Sequence, residues 1–172
     1  YLACDCLGVS GGWTPAVHLF TQSGGKLKFR NEDQTFIPNI YPSDQLSIGA
    51  CNGDLTLDEI LINTPNSLKQ FFKIKNTEYD RLEIISSTNK SKRYIWLLPS
   101  DKVIGKTKSF VDYQNDATAK DIKLALREGF RSIEHVKRYT TTGMGTDQGK
   151  LGNMHALGII SETAGAKMGE LG

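Results

Sequence analysis

The residue types best suited to bind an anion are concentrated between Val136 and Lys150. The run reads Val136-Lys-Arg-Tyr-Thr-Thr-Thr-Gly-Met-Gly-Thr-Asp-Gln-Gly-Lys150, a basic pair followed by hydroxyls, three glycines and a predicted helix start. Backbone N–H groups in a glycine turn at a helix N-terminus, with cations beside them, make a cradle for phosphate. Lys137, Arg138, Thr140, Thr141, Gly143, Gly145, Gln148 and Lys150 are the candidate residues. The plainer alternative is a surface ion pair between Arg138 and Asp147, with the glycines only turning the chain. A second region pairs Ser10-Gly11-Gly12 with Gly49-Ala50-Cys51-Asn52-Gly53, ahead of Leu55 and Thr56 at a predicted helix start. Small residues there admit a cofactor to the backbone. Gly11, Gly12, Gly49, Ala50, Asn52, Gly53 and Leu55 are its candidates, although ordinary strand–helix packing explains Gly49 equally well.

Other reactive side chains are sparse. His18 falls on a predicted helix after Pro15, His135 borders the basic loop and is read as structural, and His155 has no assigned role. Trp13 and Trp96 are read as packing residues. Cys4, Cys6 and Cys51 are odd in number and do not make a disulfide framework. Cys4-x-Cys6 lacks a second pair or a nearby histidine, so buried strand thiols are expected rather than a metal site. Reduced thiols suit the cytoplasm. With no Ser–His–Asp pattern and no persuasive carboxylate pair, no catalytic residue is nominated.

The elements that must position these groups follow from periodicity and punctuation. Residues 2–9 are apolar with one acid and predict a strand covered on both faces, as in parallel sheets. A short helix is expected from Pro15 to Phe20, and a strand with a wet face at Lys26–Phe29. The Asn-, Asp- and Pro-rich stretch up to Ser43 reads as loop. Leu46–Ala50 predicts a second buried strand, followed by a helix from Leu55 to about Leu61, with Pro65 closing the section. Tyr79–Ser86 and Arg93–Leu98 are expected strands within a linker-like region. Beyond Phe110 the pattern is helical. Thr118-Ala-Lys-Asp121 has the form of a capping box, Ile122, Ala125 and Leu126 form a buried stripe, and Gly129 ends the helix. Ser132 starts a second helix with Ile133 and Val136 inward. Leu151, Met154, Gly158 and Ile159 define a third, ended by Gly165.

Composition sets the class. A 172-residue chain with 38% hydrophobic and 23% charged residues is globular rather than disordered. No apolar run approaches the roughly 20 residues a membrane span needs. Net charge is +2, but residues 1–68 are acidic overall and residues 69–108 are basic. That basic stretch lacks a nucleic-acid motif and reads as a solvated or docking face. Starting Tyr1-Leu-Ala-Cys4 and stopping at Glu170-Leu-Gly172, the sequence is expected to be an internal piece of a longer polypeptide.

Several long strings together carry a family resemblance. They are Asp5, Val9–Phe20, Ile48–Gly53, Phe110–Asp121, Arg127–Thr141 (with Glu134-His-Val-Lys-Arg-Tyr-Thr-Thr141) and Gly143–Lys150. In these the chain resembles alpha subunits of heterotetrameric bacterial sarcosine oxidase, least clearly over 62–108. The resemblance implies the carboxy-terminal part of an α/β FAD/NAD(P)-binding domain of the disulfide-reductase type over residues 1–64. A β-containing linker over 65–109, a small helical module over 110–164 and a connector to a folate-binding domain over 165–172 would follow. It implies NAD near Ala50 and Leu55, and FMN at the interface with the beta subunit. FAD and tetrahydrofolate would lie elsewhere in a complex that includes gamma and delta subunits. The activity implied is oxidation of sarcosine to glycine, yielding peroxide and methylenetetrahydrofolate. A subunit of another flavin-dependent amine or opine oxidase, or a non-enzymatic scaffold module, is the alternative.

The helical module also resembles the two-iron module of related oxidases and of bacterioferritin-associated ferredoxin. By that resemblance the four cluster cysteines correspond to Asp112, Gln114, Asp147 and Gly152. None supplies a thiolate, so no iron–sulfur cluster is expected. Sarcosine oxidase alpha subunits share the loss.

Overall fold

The computed structural model describes residues 2–6, 8, 12–42, 44–75, 94–100 and 106–171. The chain is mixed α/β and forms two compact units, Tyr1–Arg93 and Tyr94–Gly172. Among the described residues no helix is long and apolar enough to cross a membrane.

The first unit is built on a hairpin. Helix α1 (His18–Gln22) leads into strands β1 (Lys26–Arg30) and β2 (Thr35–Ile40), which pair antiparallel. Phe20 is buried edge-on against Tyr41, with ring centroids 5.0 Å apart. A 3-10 turn at Gly49–Asn52 precedes helix α2 (Leu57–Phe72). The start of α2 is fixed by Glu59, whose Oε2 accepts from the N–H groups of Leu55 (3.1 Å) and Thr56 (3.2 Å). Those donors have no intrahelical acceptor of their own.

The second unit wraps short helices around one apolar cluster. Strands β3 (Phe110–Asp112) and β4 (Ala117–Thr118) pair antiparallel and deliver the chain into α3 (Ala119–Arg127). Helices α4 (Ile133–Thr140), α5 (Asn153–Ala164) and α6 (Met168–Leu171) follow. Asp121 Oδ2 accepts from the Thr118 N–H at 2.9 Å and from its hydroxyl at 2.7 Å, which sets the first turn of α3. Ile122, Ala125 and Leu126 of α3 meet Ala156, Ile159 and Ile160 of α5, and Val136 of α4 closes the cluster. Gly129, at φ 99°, turns the chain out of α3 as its type requires.

Trp96 lies on α5 at Gly158, where an added Cβ would come 2.2 Å from Trp96 Cδ2. Gly158→Ala is therefore expected to displace the indole and to cost about 1–3 kcal/mol, the usual range for overpacking. Trp96 fluorescence in a Trp13→Phe background checks this; a red-shifted emission is the expected result.

The first unit departs from the sequence expectations. Residues 2–6 form no strand, and Cys4 and Cys6 are exposed rather than buried; an apolar run alone cannot pair without a neighbour. Leu46–Ile48 are without regular structure, and Gly49–Asn52 is a 3-10 turn rather than the end of a strand. No parallel pairing occurs among the described strands. The loop expected up to Ser43 contains β2, and α2 runs through Pro65 to Phe72. Tyr94–Leu98 is not a strand. Tyr79–Ser86 and Arg93 lie outside the described residues.

Candidate functional site

Two loops of the second unit close on one another, 112–115 after β3 and 141–152 between α4 and α5. The closure is made by side chains reaching backbone amides. Asp112, only 7% exposed, uses Oδ1 to accept from the N–H groups of Gln114 (2.9 Å) and Asn115 (3.2 Å). Its Oδ2 accepts from the Gly143 N–H at 2.8 Å, across 31 residues of sequence, and from Asn115 Nδ2 at 3.3 Å. Gln114 Oε1 accepts from both the N–H and the hydroxyl of Thr146, each at 2.6 Å. Asn115 Nδ2 also donates to the Thr141 carbonyl at 2.9 Å. Burial pushes the Asp112 carboxyl up, but the donors from Gly143, Asn115 and Gln114 together outweigh it and hold the group below the usual carboxylate range.

The glycines are set by this closure. Gly143 has φ 73°, and a Cβ there would lie 2.1 Å from Asn153 Oδ1. At Gly149 a Cβ would fall 2.2 Å from the Asn153 amide, so the Asn153 side chain occupies the space between the two glycines. Gly145 leaves room for Gln114, and Gly152 for the Val111 carbonyl. Asp147 accepts from the N–H groups of Gly149 (3.2 Å) and Leu151 (3.3 Å). It thus caps its own turn, and no ion pair with Arg138 is found among the described residues.

The sequence candidates of this loop divide into two groups. Thr140 is buried: its hydroxyl donates to the Val136 carbonyl at 2.8 Å and lies 2.8 Å from the Thr142 hydroxyl. Thr141 caps α4 at φ 59°. The Gly143 and Thr146 amides point to Asp112 and Gln114, and that of Gln148 to the Gly145 carbonyl. These hydroxyl and amide groups hold the chain, although Thr141, Thr146 and Gln148 are exposed residues. Lys137 is half-buried, and Arg138 and Lys150 are exposed. Tyr113 (81% exposed), Leu151 (79%) and Met144 are carried outward on the same two loops.

Asp112 and Gln114, singled out only as former cysteine positions, turn out to tie the loops together. Asn115 and Asn153 were not singled out at all. The short-range half, Asp112 to the amides two and three residues on, has a sequence signal in Asp-x-x-Asn. The reach to Gly143 has none. The four positions matched to cluster cysteines, Asp112, Gln114, Asp147 and Gly152, do not fit a thiolate-bound cluster. They offer no sulfur, and the first three carry side-chain oxygens already engaged by backbone N–H groups.

In the first unit, Gly53 is explained by packing. It has φ 92°, and a Cβ would meet Arg30 Nη2 and Ile37 Cγ2 at 2.8 Å. Arg30 donates to the Gly53 carbonyl at 2.8 Å while paired with Asp33. Burial raises the Asp33 carboxyl, but the hydrogen bonds and charge of Arg30 more than offset this and leave it lowered. Asn52 is anchored through Oδ1 to the Tyr41 hydroxyl at 2.9 Å. Gly49 is itself buried, and a Cβ there would make an ordinary contact with Ile60 Cγ2 at 3.9 Å. Ala50 and Leu55 are exposed, as is Gly12, while Gly11 lies outside the described residues.

A mixed α/β chain with a helical unit closed by its own carboxylate and amide is now defined, and comparison gives its class. Residues 106–172 match the model of the sarcosine oxidase A3 domain. The whole chain is similar to curated sarcosine oxidase alpha subunits. It is 34% identical over 184 residues to the one from Rhizobium meliloti (strain 1021), covering 99% of this chain, and 31% identical to that of Corynebacterium sp. (strain P-1), covering 94%. It spans 17% of the length of these relatives. Among solved structures it resembles L-proline dehydrogenase from P. horikoshii, with a TM-score of 0.51 and 21% identity over 94% of this chain and 34% of that one. That likeness is one of fold.

Proposed function

We propose that the chain is a segment of the alpha subunit of a sarcosine-oxidising flavoprotein complex. The reaction converts sarcosine, dioxygen and tetrahydrofolate to glycine, hydrogen peroxide and 5,10-methylenetetrahydrofolate, the methyl carbon leaving as the transferred methylene. The single observation behind this reading is the similarity to alpha subunits along 99% of the chain, at 34% identity. The substrate-oxidising groups belong to other parts of the complex. This segment contributes two things.

The first is a contact with NAD at the turn ahead of α2. Ala50 and Leu55 are exposed, so these two are the residues that fit; Gly49 is buried, and Gly53 and Asn52 are committed to packing within the chain. The second is a joint with the beta subunit beside FMN. Tyr113, Met144 and Leu151 offer apolar contact area on the two closed loops. Lys137, Arg138 and Lys150 supply the positive charge for a phosphate, because the Gly143 and Thr146 amides are turned to Asp112 and Gln114. The helical unit on this reading keeps the frame of a two-iron module without its thiolates. A folate-binding domain then follows it in the longer subunit.

The test is Lys137→Ala with Arg138→Ala in the assembled enzyme. FMN content is expected to fall about tenfold or more while FAD stays in place, since each charge-assisted phosphate contact contributes about 1.5–3 kcal/mol. Unchanged FMN content would remove the phosphate assignment.

A further inference from the structure

We infer that the two loops form a carboxylate-binding site whose ligand is the chain's own Asp112. Backbone N–H groups gathered in a turn normally attract an external anion. Here those of Gln114, Asn115 and Gly143 converge instead on one side-chain carboxylate. Three features distinguish the arrangement from an ordinary Asx turn. The carboxylate is buried, with 7% of the residue exposed. It bridges two segments 31 residues apart, whereas a turn satisfies only its own backbone. A second acceptor, Gln114 Oε1, takes the N–H of Thr146 in the opposite loop.

The consequence is that the loops are set without a bound group. A prosthetic cluster organises a loop by giving its backbone donors an anionic partner; Asp112 gives the same donors the same kind of partner from within the chain. The Tyr113, Met144 and Leu151 side chains are thereby presented before any cofactor or subunit arrives. This inference stands on the Asp112 geometry alone and is independent of the FMN and sarcosine reading.

The site should accept a free carboxylate once its own is removed. The experiment uses Asp112→Ala in the full-length chain, with amide hydrogen exchange read locally at Gln114, Asn115 and Gly143, and sodium formate as the probe. Deleting the acceptor is expected to accelerate exchange at these amides about 30-fold, the factor that corresponds to about 2 kcal/mol. Formate at a few hundred millimolar is expected to slow it again by several-fold in the variant and to leave the wild type unchanged. Sodium chloride at equal ionic strength should have no such effect. Should Asp112→Ala prove insoluble, Asp112→Asn supplies the reading: it preserves volume but turns a donor toward donors, and the Gly143 amide should exchange faster. Wild-type exchange in either variant, or an Asp112→Ala variant on which formate acts no differently from chloride, would overturn the inference.

Discussion

Ile160→Asp should unfold the helical unit. Ile160 is completely buried where α5 meets α3, against Ile122, Ala125 and Ala156. An aspartate there must either strand a charge in an apolar cluster or take up a proton, and it also forfeits the contacts of a large aliphatic side chain. The combined cost is about 5 kcal/mol or more, comparable with the whole stability of a small unit. Ile160→Val, which removes one methyl group, should cost only about 1 kcal/mol and serves as the control. Hydrogen exchange in 119–127 and 153–164 measures both. The first variant is expected to lose protection throughout those helices and the second to retain it. Equal protection in both would mean that the α3–α5 contact does not hold the unit together.

Gly143→Ala should be strongly damaging to the closed loops. The position needs φ 73°, which costs a residue with a Cβ about 1–2 kcal/mol. The new Cβ would also sit 2.1 Å from Asn153 Oδ1, so the Asn153 side chain must leave the gap between Gly143 and Gly149. Moving it disturbs the first turn of α5 and the amide held by Asp112. A total of about 3 kcal/mol is expected once overpacking is added to strain. Thermal unfolding of the full-length chain, with exchange at residues 141–152 as the local readout, decides it. A variant as stable as wild type would show that Asn153 has another place to go.

What could be read from the sequence was whatever is decided within a few residues. The Thr118–Asp121 cap, the Ile122–Ala125–Leu126 stripe, the stop at Gly129, the start at Ser132 and the cap at Gly165 all appear as expected. Each depends on spacing inside one helix. Leu151 was expected to face inward with Met154, yet it lies on the turn before α5 starts at Asn153, where helical spacing does not apply. Strands fared worse, because pairing is settled by partners remote in sequence. The apolar runs at 2–9 and 46–50 suggested strands. The actual hairpin uses Thr35–Ile40, disguised by Pro38 and Asn39. Pro65 does not end the helix; α2 passes through it and gives up one backbone bond. The glycines and hydroxyls of 136–150 do fall in a loop that closes on residues 112–115. Their amides serve Asp112 and Gln114, a partnership that only tertiary contact reveals.

On the proposed function, loops 112–115 and 141–152, closed by Asp112, would be the face on which a flavin-carrying partner subunit docks. Amide hydrogen exchange of the full-length chain, alone and assembled with that subunit, tests it most directly. Slow exchange at Gly143 and Thr146 is predicted in both states, with a further slowing at Tyr113, Met144 and Leu151 only on assembly. Identical exchange at those three residues with and without the partner would contradict it.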